Sequence, residues 1–185
     1  MMALPHQVAG SVQKIKFVLL DVDGVLTDGR VGLLPDGSEI KYFSIYDGLA
    51  IRMAQRVGIE VGFISGRKSQ AVVVRGKELG VEVIIQGSTD KVKDVEELLK
   101  AKNLKQEEIA YVGDDLPDIP LLRRAGFSAA PRNAAEPVKY HVHYVTRTTG
   151  GDGAVREVMD LLLKTSGQWD EIMESLESPD APMTG

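Results

Sequence analysis

Short, almost unbroken apolar runs alternate along the chain with longer segments in which apolar residues recur every three or four positions. The runs are IKFVLLD at 15–21, IEVGFIS at 59–65, VEVIIQG at 81–87, IAYVGDD at 109–115, FSAA at 127–130 and HYVT at 143–146. A strand that is apolar on both faces must be covered on both faces, which is the situation of a parallel sheet packed between helices. The intervening segments read as those helices: DGLAIRMAQRVG, KSQAVVVRGKELG, DKVKDVEELLKAKN, LPDIPLLRRAG and GAVREVMDLLLKTSG. Several stop on a glycine, the residue that most easily takes the left-handed conformation closing a helix. In the last of them Val155, Val158, Met159, Leu162 and Leu163 form one stripe, a core-facing side. The pattern predicts an α/β fold with three layers and a central parallel sheet.

One segment breaks the alternation. RVGLLPDGSEIKYFS, between the first strand and the first helix, alternates loosely around Pro35, Asp36 and Gly37 and reads as a projecting hairpin over about 30–43. The expected organisation is a loose, flexible leader at 1–10, one domain over 11–168, and a tail at 169–185 that frays beyond about Ser178. Trp169 fits either a core position or a subunit contact.

Composition narrows the classes. The chain has 185 residues, 43% hydrophobic and 26% charged, enough for one domain with a sizeable core. Its net charge is -5 and the basic residues are scattered among acidic ones, so no basic stripe points to nucleic acid. No apolar run approaches the ~20 residues of a membrane helix. The absence of cysteine excludes a disulfide scaffold and thiolate chemistry and agrees with a cytoplasmic setting.

In an open parallel sheet the reactive crevice lies beyond the carboxyl ends of the strands. Four of the six runs carry polar groups there: Asp21 and Asp23 on the first, Ser65-Gly66-Arg67 on the second, Thr89-Asp90-Lys91 after the third, and Gly113-Asp114-Asp115 with Asp118 on the fourth. If the chain stays extended, the period of two turns Asp21 and Asp23 to the same side, and Gly24 lets the backbone leave sharply. Carboxylates gathered with Asp114 and Asp115 repel one another and call for a cation. An all-oxygen set without His or Cys favours a hard ion such as Mg²⁺. Ser65, backbone N–H groups and Lys91 suit a phosphate, and a carboxylate can attack phosphorus to form an aspartyl-phosphate. Blander readings exist for each group. Asp115 and Asp118 could cap a helix start, Arg52 and Arg75 could be surface charges, and His6, His141 and His143 have no ligand spacing.

The ordered set DVDGVLTDG, ISGR, Lys91 and GDDLPD resembles the four motifs of the haloacid dehalogenase superfamily, from Phe17 to about Gly167. The resemblance implies a Rossmann-like sandwich, Asp21 as nucleophile and Asp23 as general acid/base. It also implies Mg²⁺ held by Asp21, the Asp23 carbonyl and Asp114, a phosphoryl group gripped by Ser65, Gly66 and Lys91, and Asp115 and Asp118 as supporting acids. The gaps between motifs leave no room for a cap domain, so a lid must come from the hairpin or another subunit. Within the superfamily the chain is similar to the capless 3-deoxy-D-manno-octulosonate 8-phosphate phosphatases, a family of lipopolysaccharide precursor synthesis. Its members are homotetramers whose sites are completed by neighbouring subunits. That similarity implies substrate contacts at Ser44, Ile45, Tyr46, Asp47, Gly48, Arg52, Arg67 and Arg75.

Tyr46 departs from the arginine common in relatives, whereas Arg67 departs from the acidic residue associated with phosphatases of nine-carbon, sialic-type sugar acids. A nonulosonate 9-phosphate or a broad set of sugar phosphates is the alternative substrate. A receiver-like signalling domain also combines clustered aspartates, Mg²⁺ and a lysine, but its phosphorylated aspartate does not end the first strand. A catalytically idle interaction subunit is the remaining alternative.

Overall fold

The structure is a computed structural model that describes residues 6–177. The first five positions of the expected leader and the expected fraying beyond about Ser178 lie outside the described residues. Six strands form one parallel sheet: β1 (Phe17–Asp21), β4 (Glu60–Ser65), β5 (Val83–Gln86), β6 (Ile109–Val112), β7 (Phe127–Ala130) and β8 (Tyr144–Val145). A separate two-stranded hairpin pairs β2 (Gly32–Leu33) with β3 (Glu39–Ile40). All six expected runs became strands.

The order across the main sheet is β5-β4-β1-β6-β7-β8. From β1 the chain steps outward through β4 and β5, then returns to lay β6 against the other edge of β1. This reversal leaves a crevice at the carboxyl ends of β1, β4 and β6. Period two divides each central strand between two cores. Val18 and Leu20 of β1, Phe63 of β4 and Val112 of β6 join one apolar cluster, whereas Phe17, Leu19, Ile64 and Tyr111 join the other. The first is covered by α1 (His6–Val12), α2 (Ile45–Arg56), α3 (Gln70–Glu78) and α7 (Ala154–Ser166), the second by α4 (Lys91–Lys102), α5 (Ile119–Leu122) and α6 (Glu136–Lys139). The five stripe residues of α7 are all buried, as the sequence spacing requires.

Three expectations need correction. The stretch read as a loose leader to Gly10 carries α1, whose Val12 is buried in the core. The tail expected from residue 169 begins as α8 (Trp169–Glu177), with Ile172 fully buried and Trp169 packed against the core under the ammonium of Lys164, 4.0 Å from the ring centre. LPDIPLLRRAG is a 3₁₀ turn followed by the four-residue α5, because Pro120 removes a backbone donor that a continuous helix begun at Leu116 would need. The connection from β1 to β4 holds only a helical turn at Val22–Leu26, the hairpin and α2, and that from β4 to β5 only α3, so neither gap contains a cap domain.

Candidate active site

Asp21 closes β1 and is only 5% exposed. Its ψ of 161° and the φ of -81° at Asp23 keep the chain extended, so both carboxylates reach the same cavity. The chain then turns at Gly24, with φ +98°. A Cβ there would stand 2.0 Å from Asp114 Oδ2, so glycine is required both for the turn and for the approach of that carboxylate. The buried Thr27 hydroxyl holds the turn by accepting from the Gly24 and Gly29 backbone N–H groups, at 3.4 and 3.3 Å.

Lys91 is the first residue of α4, a helix capped by Asp90, whose carboxylate accepts from the Lys93 N–H at 3.1 Å. The Lys91 ammonium donates to Asp21 Oδ1 at 2.5 Å, to Asp118 Oδ1 at 2.6 Å and to the Tyr111 hydroxyl at 3.3 Å. The Tyr111 phenol donates to Asp118 Oδ1 at 2.6 Å, and Asp118 Oδ2 accepts from the N–H groups of Asp114 and Asp115 at 3.0 and 3.2 Å. Asp118 is therefore a brace. It fastens the loop after β6 to Lys91. Asp115 caps the following turn by accepting from the Leu116 N–H at 2.8 Å, the helix-start role its sequence position allowed.

The same enclosure creates an electrostatic demand. Burial pushes the Asp21 carboxyl up to about 7 against the opposing pull of Lys91. Burial, then the charges of Asp21 and Asp118, push Asp114 up to about 8. For Lys91 burial acts downward, but Asp21 and Asp118 outweigh it and raise the ammonium. Oxygens of Asp21, Asp114 and Asp118 lie within 4.8 Å of one another. Both Asp118 oxygens already accept bonds, which leaves Asp21 and Asp114 as the carboxylates able to hold a cation. A hard divalent ion fits this all-oxygen pair and relieves the repulsion that raises it.

The cavity beside these groups has a volume of about 780 Å³, and Ser65, Gly66, Arg67 and the loop of Ser88, Thr89 and Asp90 form its other wall. Ser65 Oγ accepts the Arg67 N–H at 3.0 Å and donates to Asp23 Oδ2 at 3.4 Å. The hairpin reaches in from above: Lys41 pairs with Asp23 and Glu39 with Arg67.

Of the substrate contacts expected from sequence, Arg67 alone lines this cavity within one chain. Ser44 is half-buried, and Ile45 and Tyr46 are exposed at the start of α2, Tyr46 beside a separate cavity along α7. Asp47 departs from the expectation. It is 1% exposed and turned away from the cavity, where its Oδ1 accepts the Arg156 N–H of α7 at 2.7 Å. Gly48 is likewise buried, covered by the Arg75 guanidinium, 2.3 Å from where a Cβ would stand. Arg75 pairs with Glu78 of its own helix at 3.0 Å and donates to the Ser44 carbonyl at the start of α2 at 3.4 Å, and Arg52 donates to the Glu78 carbonyl at 2.5 Å, so both tie α2 to α3 within this chain.

Sequence reasoning passed over Lys41, Glu39 and Tyr111. Glu39 and Lys41 stand two apart on an extended segment, which puts them on one face. Tyr111 is a polar group in a run otherwise apolar, two residues before the Gly113 turn. His143 has a structural role, its Nδ1 accepting the Ser128 N–H at 3.0 Å.

A buried carboxylate at a switch point, braced by a lysine beside a cavity, suits a phosphate-handling α/β hydrolase. The family model described as haloacid dehalogenase-like hydrolase matches residues 68–158. The 3-deoxy-D-manno-octulosonate 8-phosphate phosphatase of Escherichia coli K12 is 42% identical over 164 residues, 89% of this chain and 87% of that protein. A probable YrbI family phosphatase from Pseudomonas syringae superposes with a TM-score of 0.91 at 42% identity, covering 94% of this chain and 99% of that one. The Moraxella catarrhalis 3-deoxy-D-manno-octulosonate 8-phosphate phosphatase, solved with magnesium, phosphate and the sugar acid, does so with 0.90 at 38% identity, over 92% and 98%. The chain belongs to the haloacid dehalogenase-like hydrolases and, within them, to the family that holds these sugar-acid phosphatases. It is a phosphatase, and the receiver reading is set aside with that membership.

Proposed function

We propose that the enzyme hydrolyses 3-deoxy-D-manno-octulosonate 8-phosphate to the free sugar acid and inorganic phosphate, in lipopolysaccharide precursor synthesis. The observation that carries this reading is the convergence of Asp21, Asp23, Ser65, Lys91 and Asp114 on one cavity in a chain 42% identical to an enzyme of that name.

Asp21 attacks phosphorus while Lys91 favours its ionised form and Ser65 holds a phosphoryl oxygen. The P–O bond to the sugar breaks, and the departing oxygen takes a proton from Asp23. Water then gives a proton to Asp23 as its oxygen attacks the phosphorus of the aspartyl-phosphate, releasing phosphate and restoring Asp21. Bound Mg²⁺, held by Asp21, Asp114 and the Asp23 carbonyl, supplies neutralisation of charge on the phosphoryl oxygens.

Arg67 is the group for the substrate carboxylate, since a guanidinium clamps such an anion in two-point fashion. Leu33, Ile40, Tyr42, Ile45 and Tyr46 leave an exposed apolar surface over the hairpin and the start of α2. That surface supports a homotetramer in which this region, with Arg52 and Arg75 behind it, closes a neighbour's site and excludes water. The cysteine-free composition fits a cytoplasmic enzyme of this kind.

The test is a panel of sugar phosphates compared by kcat/KM in the presence of Mg²⁺. Preference for the eight-carbon 8-phosphate is the expected result. Preference for a nonulosonate 9-phosphate, or a flat profile, moves the assignment to the alternative substrates.

A further inference from the structure

The hairpin meets the reaction centre through Lys41, which stands outside the proposed nucleophile, acid/base and phosphate-binding groups. The Lys41 side chain is 1% exposed, less than the 12% of Lys91 itself, and its ammonium is in ion-pair contact with Asp23 Oδ1. A lysine so deeply buried loses its hydration and is kept only where a partner compensates. Ser65 Oγ donates to the other oxygen of the same carboxylate, Oδ2, at 3.4 Å. Asp23 is thus held by two donors, one on each oxygen, which fixes the plane of the carboxylate. Glu39 steadies the lysine, its Oε2 lying 3.7 Å from Lys41 Nζ while its Oε1 pairs with Arg67.

We propose that Lys41 is a positioning residue for Asp23 in the second half of the reaction. This inference rests on the acid/base role proposed for Asp23. The Lys41 ammonium suits the carboxylate form, the form that must receive a proton from water, and it still holds Oδ1 when the Ser65 hydroxyl turns to the phosphoryl group. In that step the water oxygen bonds to phosphorus, the bond from phosphorus to the Asp21 oxygen breaks, and the water proton passes to Asp23. A carboxylate free to rotate meets the attacking water less often in the productive geometry, so the aspartyl-phosphate persists.

The experiment compares wild type with Lys41→Met, Lys41→Gln and Lys41→Arg, each checked for an unchanged melting temperature. It measures kcat, KM and the fraction of enzyme carrying phosphate after acid quench at saturating 3-deoxy-D-manno-octulosonate 8-phosphate. In Lys41→Met and Lys41→Gln, kcat is expected to fall by about tenfold or more with KM little changed and phosphoenzyme accumulating, while Lys41→Arg recovers part of the rate. A rise in KM at unchanged kcat would make Lys41 a substrate-binding group and overturn the inference. Unchanged kinetics, or a lower kcat without accumulated phosphoenzyme, overturns it as well. Failure of the parent reading is seen separately, as a wild-type enzyme that releases no phosphate from this substrate or an Asp23→Asn variant that turns over normally.

Discussion

Lys91 stands between Asp21 and Asp118, its Nζ 2.5 Å from one carboxylate and 2.6 Å from the other. One ammonium therefore both favours the ionised form of the proposed nucleophile and anchors the loop that presents Asp114. Replacing it by methionine of similar length leaves two buried carboxylates without their cation, a change that costs about 3–5 kcal/mol when a buried pair is broken. Lys91→Met is expected to lose at least about a hundredfold in kcat, and to unfold at lower denaturant concentration, by an amount that grows as pH rises and the carboxylates ionise. Parallel denaturation and steady-state kinetics check both parts.

Asp47 supplies a pH dependence away from the chemistry. Burial pushes its carboxyl from 3.8 up to about 6, although the Arg156 N–H and other backbone donors at the start of α7 oppose the shift. The folded chain thus binds this proton more tightly than the unfolded chain. The stabilisation is full below the ordinary value and is lost as pH rises through about 6, an effect of about 3 kcal/mol for a shift of this size. Asp47→Asn keeps an acceptor for the Arg156 N–H without a charge. Relative to wild type the variant is expected to be more stable above this window than below it, measured by denaturation on either side.

Gly24 joins backbone to metal chemistry. An alanine at φ +98° is strained, and its Cβ would overlap Asp114 Oδ2 at 2.0 Å, displacing the carboxylate. Gly24→Ala is expected to raise the Mg²⁺ concentration needed for half-maximal activity by about tenfold or more, a loss of the size seen when groups around a metal are disturbed. A titration of activity against Mg²⁺ measures it.

The reading of these residues from sequence succeeded where one local rule decided the outcome. Fully apolar strands require cover on both faces, so the parallel sheet followed from runs such as FVLLD, and period two brought Asp21 and Asp23 to one cavity. Contacts made across the fold were less legible. Asp47 matched a substrate segment by its neighbours in sequence, but its partner lies 109 residues away at the start of a helix that carries no side-chain cap of its own. Lys41 drew no reading from sequence because its burial depends on how the hairpin leans over β1. The helices at both ends were missed for another reason: α1 and α8 are short, and a helix of that length is held by packing on the core, through Val12 in one and Ile172 in the other, although Trp169, Ile172 and Met173 do recur at helical spacing.

The central claim is that Asp21 carries the phosphoryl group. Acid quench of an Asp23→Asn variant supplied with p-nitrophenyl phosphate, followed by peptide mass spectrometry, tests it most directly, because this leaving group needs no general acid and loss of the general base should leave the intermediate standing. The expected result is phosphate on the peptide containing Asp21, absent when Asp21 is also changed to Asn. Phosphate on any other residue, or full turnover by Asp21→Asn, would contradict it.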